Sequence, residues 1–591
     1  MYSAALAAPG RWPIASMNAQ LFRTKSIDQL ISDADDPSKR LKKTLGWLSL
    51  TALGIGAIIG SGIFITIGTA TSGQVDKYPS VLQMPVLSVL MHGTHSLAVG
   101  RPGAGPGIAV SFLAVALICA LAGLCYAELA SMIPIAGSAY TYTYATLGEF
   151  IAWIIGWDLI LEYAVSNMAV AVGFSAYVNN LLDTFHVHIP DSLGTPAYDP
   201  MAGWSLHFNL LGFLIVMFLT VLLVRGIRES ARANNIMVGI KLLAIFIFCI
   251  VASKYIHPEN FKPFFPNGFQ GVLTGGAIVF FSYIGFDSVS TAAEECKNPK
   301  RDVPIGILAS LFVCATFYVA VAVVLTGIQH WDTLNNAAPV AQALEAIGLK
   351  LTDRWVTVGA LMGMISSILV YQLGQARVWF AMSRDGLLPA IFSRVHKTFR
   401  TPDFATWVAG FFVAIPAGIF DIGTLADLSN IGTLFAFILV SIAVLILRKR
   451  QPDRPRGFRV PFSPWIPIAS VILCLALMAS LTIENWVRFF VWLIVGLLFY
   501  FDFGVRNSSA GRSADPAAQR NLTLMADKAM IALSGALLVL AIIAGGVVVG
   551  GFVVAGILER AGLVILAAVA IVFLLRGRKH YREDSLTTKT A

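Results

Sequence analysis

Two glycine-rich stretches stand out because their residue types are unsuited to an unbroken buried helix. The first, TALGIGAIIGSGIFITIG, carries five glycines within residues 51–68. The second, GGAIVFFSYIGFDSVSTAAEE, has Gly285 near its middle and Asp287 just beyond it. A glycine costs about 1 kcal/mol relative to alanine in a helix interior, so both stretches predict interrupted helices. Close packing of helices through small residues is the alternative explanation of these glycines.

An interrupted helix exposes backbone groups that can bind a dipolar solute. A second half that starts near Ser61 and Gly62 presents unpaired amides, which attract an anion such as a carboxylate. A break in the second stretch frees the carbonyls near Phe281, Ser282 and Ile284, which accept hydrogen bonds from an ammonium group. Donors and acceptors placed close together in this way fit the zwitterion of an α-amino acid.

Lys241 is the most informative single residue. It lies in the apolar run VGIKLLAIFIFCIV, nine residues after Arg232, which places it about 13–14 Å into a helix that rises 1.5 Å per residue. A lysine at this depth costs about 2.5–3.5 kcal/mol on membrane insertion and is a functional hypothesis by default. We interpret it as a group that binds and releases a proton. The alternative is snorkelling to the membrane surface, which the side chain barely reaches from this depth.

Other ionisable residues in apolar stretches are weaker candidates. Glu162, in WDLILEYAVSN, and Asp287 are candidates to gate a pathway, to pair with another group or to orient a broken helix. Arg377 and Arg384 fall at a helix end, where contact with solvent or lipid headgroups is the ordinary role. The six cysteines and nine histidines show no metal-ligand spacing, and no enzyme motif is present. We therefore expect neither an enzyme nor a metal or cofactor site.

The composition indicates that membrane-spanning helices position these residues. Hydrophobic residues make up 57% of the chain and charged residues 13%, whereas a soluble domain carries roughly a quarter charged residues. Mean hydropathy is +0.75. About 20 apolar residues are needed for each span, and the pattern predicts about fourteen spans, near 46–70, 108–133, 149–180, 208–224, 232–252, 271–292, 304–327, 354–382, 404–420, 428–447, 465–483, 486–503, 530–550 and 560–576.

Lysine and arginine are distributed unevenly over the predicted loops. With the N-terminus inside, the inner segments hold 32 of the 42 and the outer loops hold 8. This is the positive-inside pattern, so the net charge of +9 reports orientation and not nucleic-acid binding. The protein is expected to be a multi-pass protein of the inner membrane, with both termini in the cytoplasm.

The interrupted spans are the first and the sixth, five apart, which matches an inverted five-helix repeat. In such folds the broken helices meet near the middle of the bilayer and form the substrate site. The predicted organisation is a cytoplasmic segment with an interfacial helix (1–45), a first repeat (46–252), a second repeat (271–447), spans eleven and twelve (465–503), a polar linker (504–529), two peripheral helices (530–576) and a cytoplasmic tail (577–591).

Several segments resemble the amino acid–polyamine–organocation superfamily, and within it the bacterial members of the cationic amino acid transporter family. The resemblance covers roughly residues 20–500 and implies a leucine-transporter-like fold with a five-plus-five inverted repeat, amino acid substrates and secondary active transport. The matching segments are GIGAIIGSGIFITIGTAT (54–71), RPGAGPGIAVSF (101–112), AGLCYAELASMIPIAGSAYTYTYATLGE (122–149), SYIGFDSVSTAAEECKNPKRDVPIGI (282–307) and GQARVWFAMSRDGLLP (374–389).

The resemblance also implies roles for individual residues. Backbone groups of Ser61 and Gly62 would hold the substrate carboxylate, and carbonyls of Ile58, Phe281 and Ile284 would accept from its amino group. Lys241 falls where proton-coupled relatives place a lysine in a site that sodium-coupled relatives give to Na⁺. The groups that would line this site are Gly56, Ile59, Ser366 and Ser367.

These observations predict proton-coupled uptake of amino acids by alternating access. Two alternatives are an amino acid exchanger and a sensor that keeps the fold without transporting. The expected partners are an amino acid, a proton and membrane lipid. Neither the preferred amino acid nor the oligomeric state follows from the sequence.

Overall fold

The computed structural model describes residues 21–34, 41–74, 100–183, 185–199, 203–336, 338–420, 422–508, 516–549 and 557–590. The α-helices in these ranges, numbered in chain order, are α1 (Ile27–Ala34), α2 (Trp47–Ile58), α3 (Ile67–Ser72), α4 (Ile108–Met132), α5 (Ala139–Thr146), α6 (Glu149–Asp183), α7 (Asp191–Gly194), α8 (Leu210–Arg225), α9 (Ile227–Ala252), α10 (Gly268–Val279), α11 (Ser288–Thr291), α12 (Pro299–Ile328), α13 (Pro339–Ala346), α14 (Lys350–Arg384), α15 (Asp403–Ile419), α16 (Ile422–Arg450), α17 (Trp465–Ala479), α18 (Ile483–Phe499), α19 (Val505–Asn507), α20 (Pro516–Val549) and α21 (Ile557–Thr590).

Strands in the described ranges are short and form two antiparallel pairs. Strand β1 (Gly73–Gln74) pairs with β2 (Arg101–Pro102). Strand β3 (Tyr198–Asp199) pairs with β4 (Gly203–Trp204). Both pairs lie in connections between the long helices, so the architecture is helical.

Ten helical stretches in the described ranges are long and apolar enough to cross a membrane, and three further apolar helices are shorter. They coincide with the first thirteen predicted spans, and the fourteenth lies within α21. Large apolar side chains such as Leu113 and Phe312 are 61% and 75% exposed. Such exposure suits a surface that faces lipid and not water.

The first span is broken next to its cluster of glycines. Helix α2 ends at Ile58, and Ile59 has a non-helical backbone with φ −81° and ψ 89°. The chain then resumes as a π-type turn over Gly62–Thr66 before α3 begins. The first half of the span therefore ends in carbonyls that lack their usual helical partners.

The sixth span is broken next to the break in the first span. Helix α10 passes into a 3₁₀ turn over Phe280–Tyr283, after which Ile284 is extended. Gly285 follows with φ +112°, a conformation that glycine adopts readily and other residues do not. A Cβ atom on Gly285 would lie 2.7 Å from the Cβ of Ala57. The two breaks therefore touch each other.

Long helices hold the two breaks in place. Helices α6 and α14 have 35 residues each, which corresponds to about 52 Å at 1.5 Å per residue. They pack against each other, and α14 also packs against α2 and α9. We call the side of the molecule that carries residues 21–34 and 41–45 the near side and the opposite side the far side. Helix α6 starts at the near side, where the Glu149 amide donates to the Arg23 carbonyl.

The segment predicted as a polar linker has a different conformation in the structure. Helix α20 begins at Pro516, so much of 504–529 is helical, while 509–515 lies outside the described residues. Asp527 in this segment is buried and pairs with Arg506 at 2.6 Å, which explains how a polar stretch extends a spanning helix. A small apolar core of Leu498, Met530, Leu537, Ala570 and Phe573 joins α20 and α21 to α18.

Two other segments are described only in part. The interfacial helix expected before residue 45 appears as α1, while 1–20 and 35–40 lie outside the described residues. Between the first and second spans, residues 75–99 also lie outside the described residues.

Candidate functional site

Lys241 is fully buried and joins three helices. Its Nζ donates hydrogen bonds to oxygens at the end of α2, namely the carbonyls of Ile55 at 2.9 Å, Gly56 at 3.1 Å and Ile59 at 2.8 Å. A fourth oxygen, Ser366 Oγ on α14, lies 2.9 Å away. An ammonium group has three donors, so this set of acceptors satisfies it completely. The side chain points into the protein and does not snorkel to the membrane surface.

Ser366 and Ser367 complete the oxygen cluster around the ammonium. Ser366 Oγ lies 2.7 Å from the Gly363 carbonyl, and Ser367 Oγ lies 2.7 Å from the Gly56 carbonyl. A Cβ atom on Gly60 would come within 2.5 Å of Ser367 Oγ. The absence of a side chain at Gly60 therefore lets α14 approach the break in the first span.

The residues predicted to bind substrate lie where the two breaks meet. A Cβ atom on Gly62 would come within 2.5 Å of Ser282 Oγ and 2.6 Å of Ser282 Cα. The hydroxyls of Ser61 and Ser282 are buried and make no hydrogen bond to the described residues. Two unsatisfied hydroxyls in a buried position are costly unless a ligand or water supplies a partner.

Two tyrosines that the sequence did not single out hold carbonyls in this region. Tyr318 Oη on α12 lies 2.7 Å from the Ile58 carbonyl and 2.8 Å from the Ser282 carbonyl. Tyr371 Oη on α14 donates to the Ile284 carbonyl at 3.0 Å. Each tyrosine lies in a long apolar helix with other hydroxyl residues, and its local sequence carries no signal that a broken helix lies opposite. Ile58 and Ile284, both predicted to accept from an ammonium group, thus already have hydroxyl partners.

Comparison with known proteins identifies the family of this chain. A family model described as Amino acid permease matches residues 45–500, a range that contains both breaks and Lys241. The chain belongs to the amino acid permease family. This membership confirms the predicted superfamily and the leucine-transporter-like fold class.

Individual relatives of the permease are transporters with different named substrates. Branched-chain amino acid permease BcaP of Bacillus subtilis (strain 168) is 45% identical over 493 residues, which are 83% of this chain and 99% of that protein. The methylthioribose transporter of the same organism is 44% identical over 490 residues, again 83% and 99%. Cationic amino acid transporter 4, vacuolar, of Arabidopsis thaliana is 34% identical over 443 residues, 73% and 68%. The permease is accordingly a membrane transporter and not an enzyme.

Glu162 and Asp287 lie next to the breaks but make different contacts. Asp287 accepts a short hydrogen bond from the Tyr163 hydroxyl. Glu162 is buried beside Thr433, and neither of its oxygens is in hydrogen-bond geometry with a described residue. The two carboxyls thus differ in their contacts, although both are buried near the breaks.

The prediction for Arg377 and Arg384 was wrong, because both are buried in ion pairs. Arg377 Nη2 lies 2.8 Å from Glu295 Oε1, and the two side chains are 1% and 2% exposed. Arg384 pairs with Glu294 at 3.0 Å. The acidic partners come from the end of the sixth span, so these pairs tie α14 to it on the near side of the permease.

A second ionic cluster also lies on the near side. Lys25, with 4% of its side chain exposed, lies 2.7 Å from Asp385 and 2.5 Å from Asp33. Tyr140 Oη also donates to Asp385, at 2.7 Å. Although burial lowers the pKa of Lys25, the two carboxylates outweigh this effect and raise it. The N-terminal segment is thus fastened to the end of α14.

Proposed function

We propose that the permease imports amino acids together with protons by alternating access. The observation that carries this proposal is the buried ammonium of Lys241, held by α2 carbonyls beside the predicted substrate residues. The charged form of lysine has three N–H donors for these oxygens, whereas the neutral amine has only two. Its protonation state would therefore be linked to the geometry of the first break.

The proposed cycle couples that linkage to substrate. With Lys241 protonated, α9 and α14 are fastened to the end of α2. The substrate carboxylate would bind amides at Ser61 and Gly62, and its ammonium would bind carbonyls of Ile58, Phe281 and Ile284. Loss of the lysine proton would leave a neutral amine with fewer and weaker hydrogen bonds to α2 and α14, loosen the first break and favour release.

The ion pairs that hold α14, the end of the sixth span and the N-terminal segment together on the near side support alternating access, because they could act as a gate there. On this proposal the near side is cytoplasmic, in keeping with its excess of Lys and Arg, and the protein lies in the bacterial inner membrane. Asp287 and Glu162, which lie between the breaks and the near side, would act as gating groups. The same proposal assigns 46–252 to the first repeat and 271–447 to the second.

Uptake into proteoliposomes tests the proposed function. An inward proton gradient should drive accumulation of a labelled amino acid, and a protonophore should remove it. L-leucine, L-arginine and methylthioribose should be compared, since these probes correspond to the names of the relatives. Uptake that needs internal amino acid and ignores the gradient would show an exchanger instead. Saturable binding without any flux would favour the sensor.

Replacing Tyr318 with phenylalanine should slow net uptake more than exchange. Without substrate, the Tyr318 hydroxyl is the hydrogen-bond partner of the Ile58 and Ser282 carbonyls. With substrate bound, the ammonium group of the substrate would donate to the Ile58 carbonyl instead. Net uptake requires the carrier to return without substrate. Losing one buried hydrogen bond, worth about 1–1.5 kcal/mol, should therefore reduce the rate of net uptake by about tenfold. Exchange of labelled for unlabelled substrate should change by no more than about twofold, as it avoids that step.

Tyr500→Phe provides the matched control for this substitution. Tyr500 is equally buried, but its hydroxyl donates to Glu149 Oε1 at 3.1 Å, away from the two breaks. Both rates should stay near those of the parent protein. Equal losses of uptake and exchange in Tyr318→Phe would mean that the hydroxyl has only a structural role.

A further inference from the structure

A cavity lies on the far side of the molecule, where helix α13 packs against the second half of the first span. Its volume is about 660 Å³, and it is lined by the ends of α6 and α12, by α13 and by the start of α14. Pockets that bind small molecules typically enclose roughly 300–1,000 Å³. The cavity is therefore large enough for an amino acid, and it is distinct from the contact between the two breaks.

The floor of the cavity is connected to the first break. Tyr177 lies one turn of α6 before the lining residues Asn180 and Leu181, and its hydroxyl donates to the Phe64 carbonyl at 2.9 Å. Phe64 belongs to the π-type turn that follows the break. Helix α13, which forms another wall, packs against the same turn. Two of the elements that line the cavity, α6 and α13, therefore contact the segment that follows the first break.

Charges of both signs line the cavity. Lys350 and Arg354 are four residues apart on α14, so they share one face of the helix. Asp353 lies between them, with Thr357 Oγ1 3.4 Å from its Oδ1, and Glu345 approaches from the end of α13. Paired cationic and anionic groups in one cavity match the carboxylate and ammonium of a zwitterion. A solute with one charge only would interact favourably with just one of these sets.

We propose that this cavity captures a zwitterionic amino acid before it reaches the central site. The proposal rests on the proposed transport function and adds a second binding position to it. Arg354 and Lys350 bind the carboxylate, and Glu345 and Asp353 bind the ammonium. Apolar lining is confined to small or peripheral side chains such as Ala341 and Leu181, so the capture site discriminates weakly between side chains.

Protection of an introduced cysteine tests this site. Gln342 lines the cavity and is exposed, whereas five of the six native cysteines are buried and Cys249 is half-buried. L-leucine at about 10 mM, above the roughly millimolar Kd of such weak pairs, should slow labelling of Gln342→Cys by a membrane-impermeant thiol reagent at least about fivefold. Isocaproate and isopentylamine, which each lack one charge of leucine, should protect far less.

Two comparisons separate this site from the central one. Protection should persist when Lys241→Met is added, because that substitution lies outside the cavity. Ser192→Cys, exposed on the far side in α7, should label at the same rate with or without leucine. Protection that disappears with Lys241→Met, or that extends to Ser192→Cys, would overturn the capture site.

The double substitution Glu345→Gln and Arg354→Gln should remove the protection and raise the KM of uptake by about tenfold with kcat unchanged. Gradient-driven uptake by the parent protein is measured in parallel. Uptake without protection overturns the capture site and leaves the proposed function intact. Protection without uptake overturns the proposed function and leaves the capture site intact, and the absence of both overturns both.

Discussion

Lys241→Met should reduce proton-driven accumulation to the level of protein-free liposomes. Methionine has a similar length but carries no proton, so the carbonyls of Ile55, Gly56 and Ile59 lose a shared donor. Hydrogen bonds to a charged group are worth about 1.5–3 kcal/mol each, and losing about 3 kcal/mol corresponds to roughly a hundredfold. The measurement is uptake of labelled amino acid under an inward proton gradient.

Lys254→Met is the matched control for this substitution. Lys254 follows the far end of the same helix and is exposed, so its charge should contribute nothing to coupling. Both variants should elute as monodisperse protein, and thermal unfolding should show that Lys241→Met is folded. Gradient-driven accumulation at the parent level by folded Lys241→Met would rule out the proposed role of this lysine.

Gly285→Ala should also abolish transport, because it disturbs the backbone conformation of the second break and not because it removes a charge. At φ +112° a residue with a side chain is strained by about 1–3 kcal/mol. The added methyl would also lie 2.7 Å from the Cβ of Ala57 and 2.9 Å from Cε1 of Tyr371. The two breaks would have to separate, so we expect uptake below about a tenth of the parent value and a loss of about 2 kcal/mol or more in stability.

Gly276→Ala tests the same substitution two turns earlier in the sixth span. A Cβ there meets nothing closer than Val115 Cγ2 at 3.7 Å, an ordinary contact. Because alanine favours a helix over glycine, this variant should be equal to or more stable than the parent, by up to about 1 kcal/mol. Parent-like uptake by Gly285→Ala would show that the geometry of the second break is not needed for transport.

The sequence predicted the broken spans well because glycine signals a break locally. Five glycines within 51–68 indicated the first break, and Gly285 marked the second, which the backbone places beside Ala57. Lys241 was noticeable for a similar reason, since its type contrasts with the apolar run around it. Features of this kind depend on a residue and its immediate neighbours.

Contacts between distant helices were harder to anticipate. Arg377 was expected to face solvent or lipid, yet it is buried against Glu295, 82 positions away in the chain. The two hydroxyls of Tyr318 and Tyr371 were missed because nothing in their local sequence shows that a broken helix lies opposite. The helical start of α20 at Pro516 was missed because the buried pair of Asp527 with Arg506 offsets the polarity of that segment.

The ammonium of Lys241 is tethered to the backbone, unlike a dissolved ion. On the proposed cycle this carrier group can never leave, so a single position can move at most one proton per substrate. A neutral zwitterion would then cross with one net positive charge, and import would generate a current. One charge moving through 100 mV yields about 2.3 kcal/mol, or nearly fiftyfold. The membrane voltage, together with the pH difference, would thus set a calculable ceiling on how far the cell can concentrate its substrate.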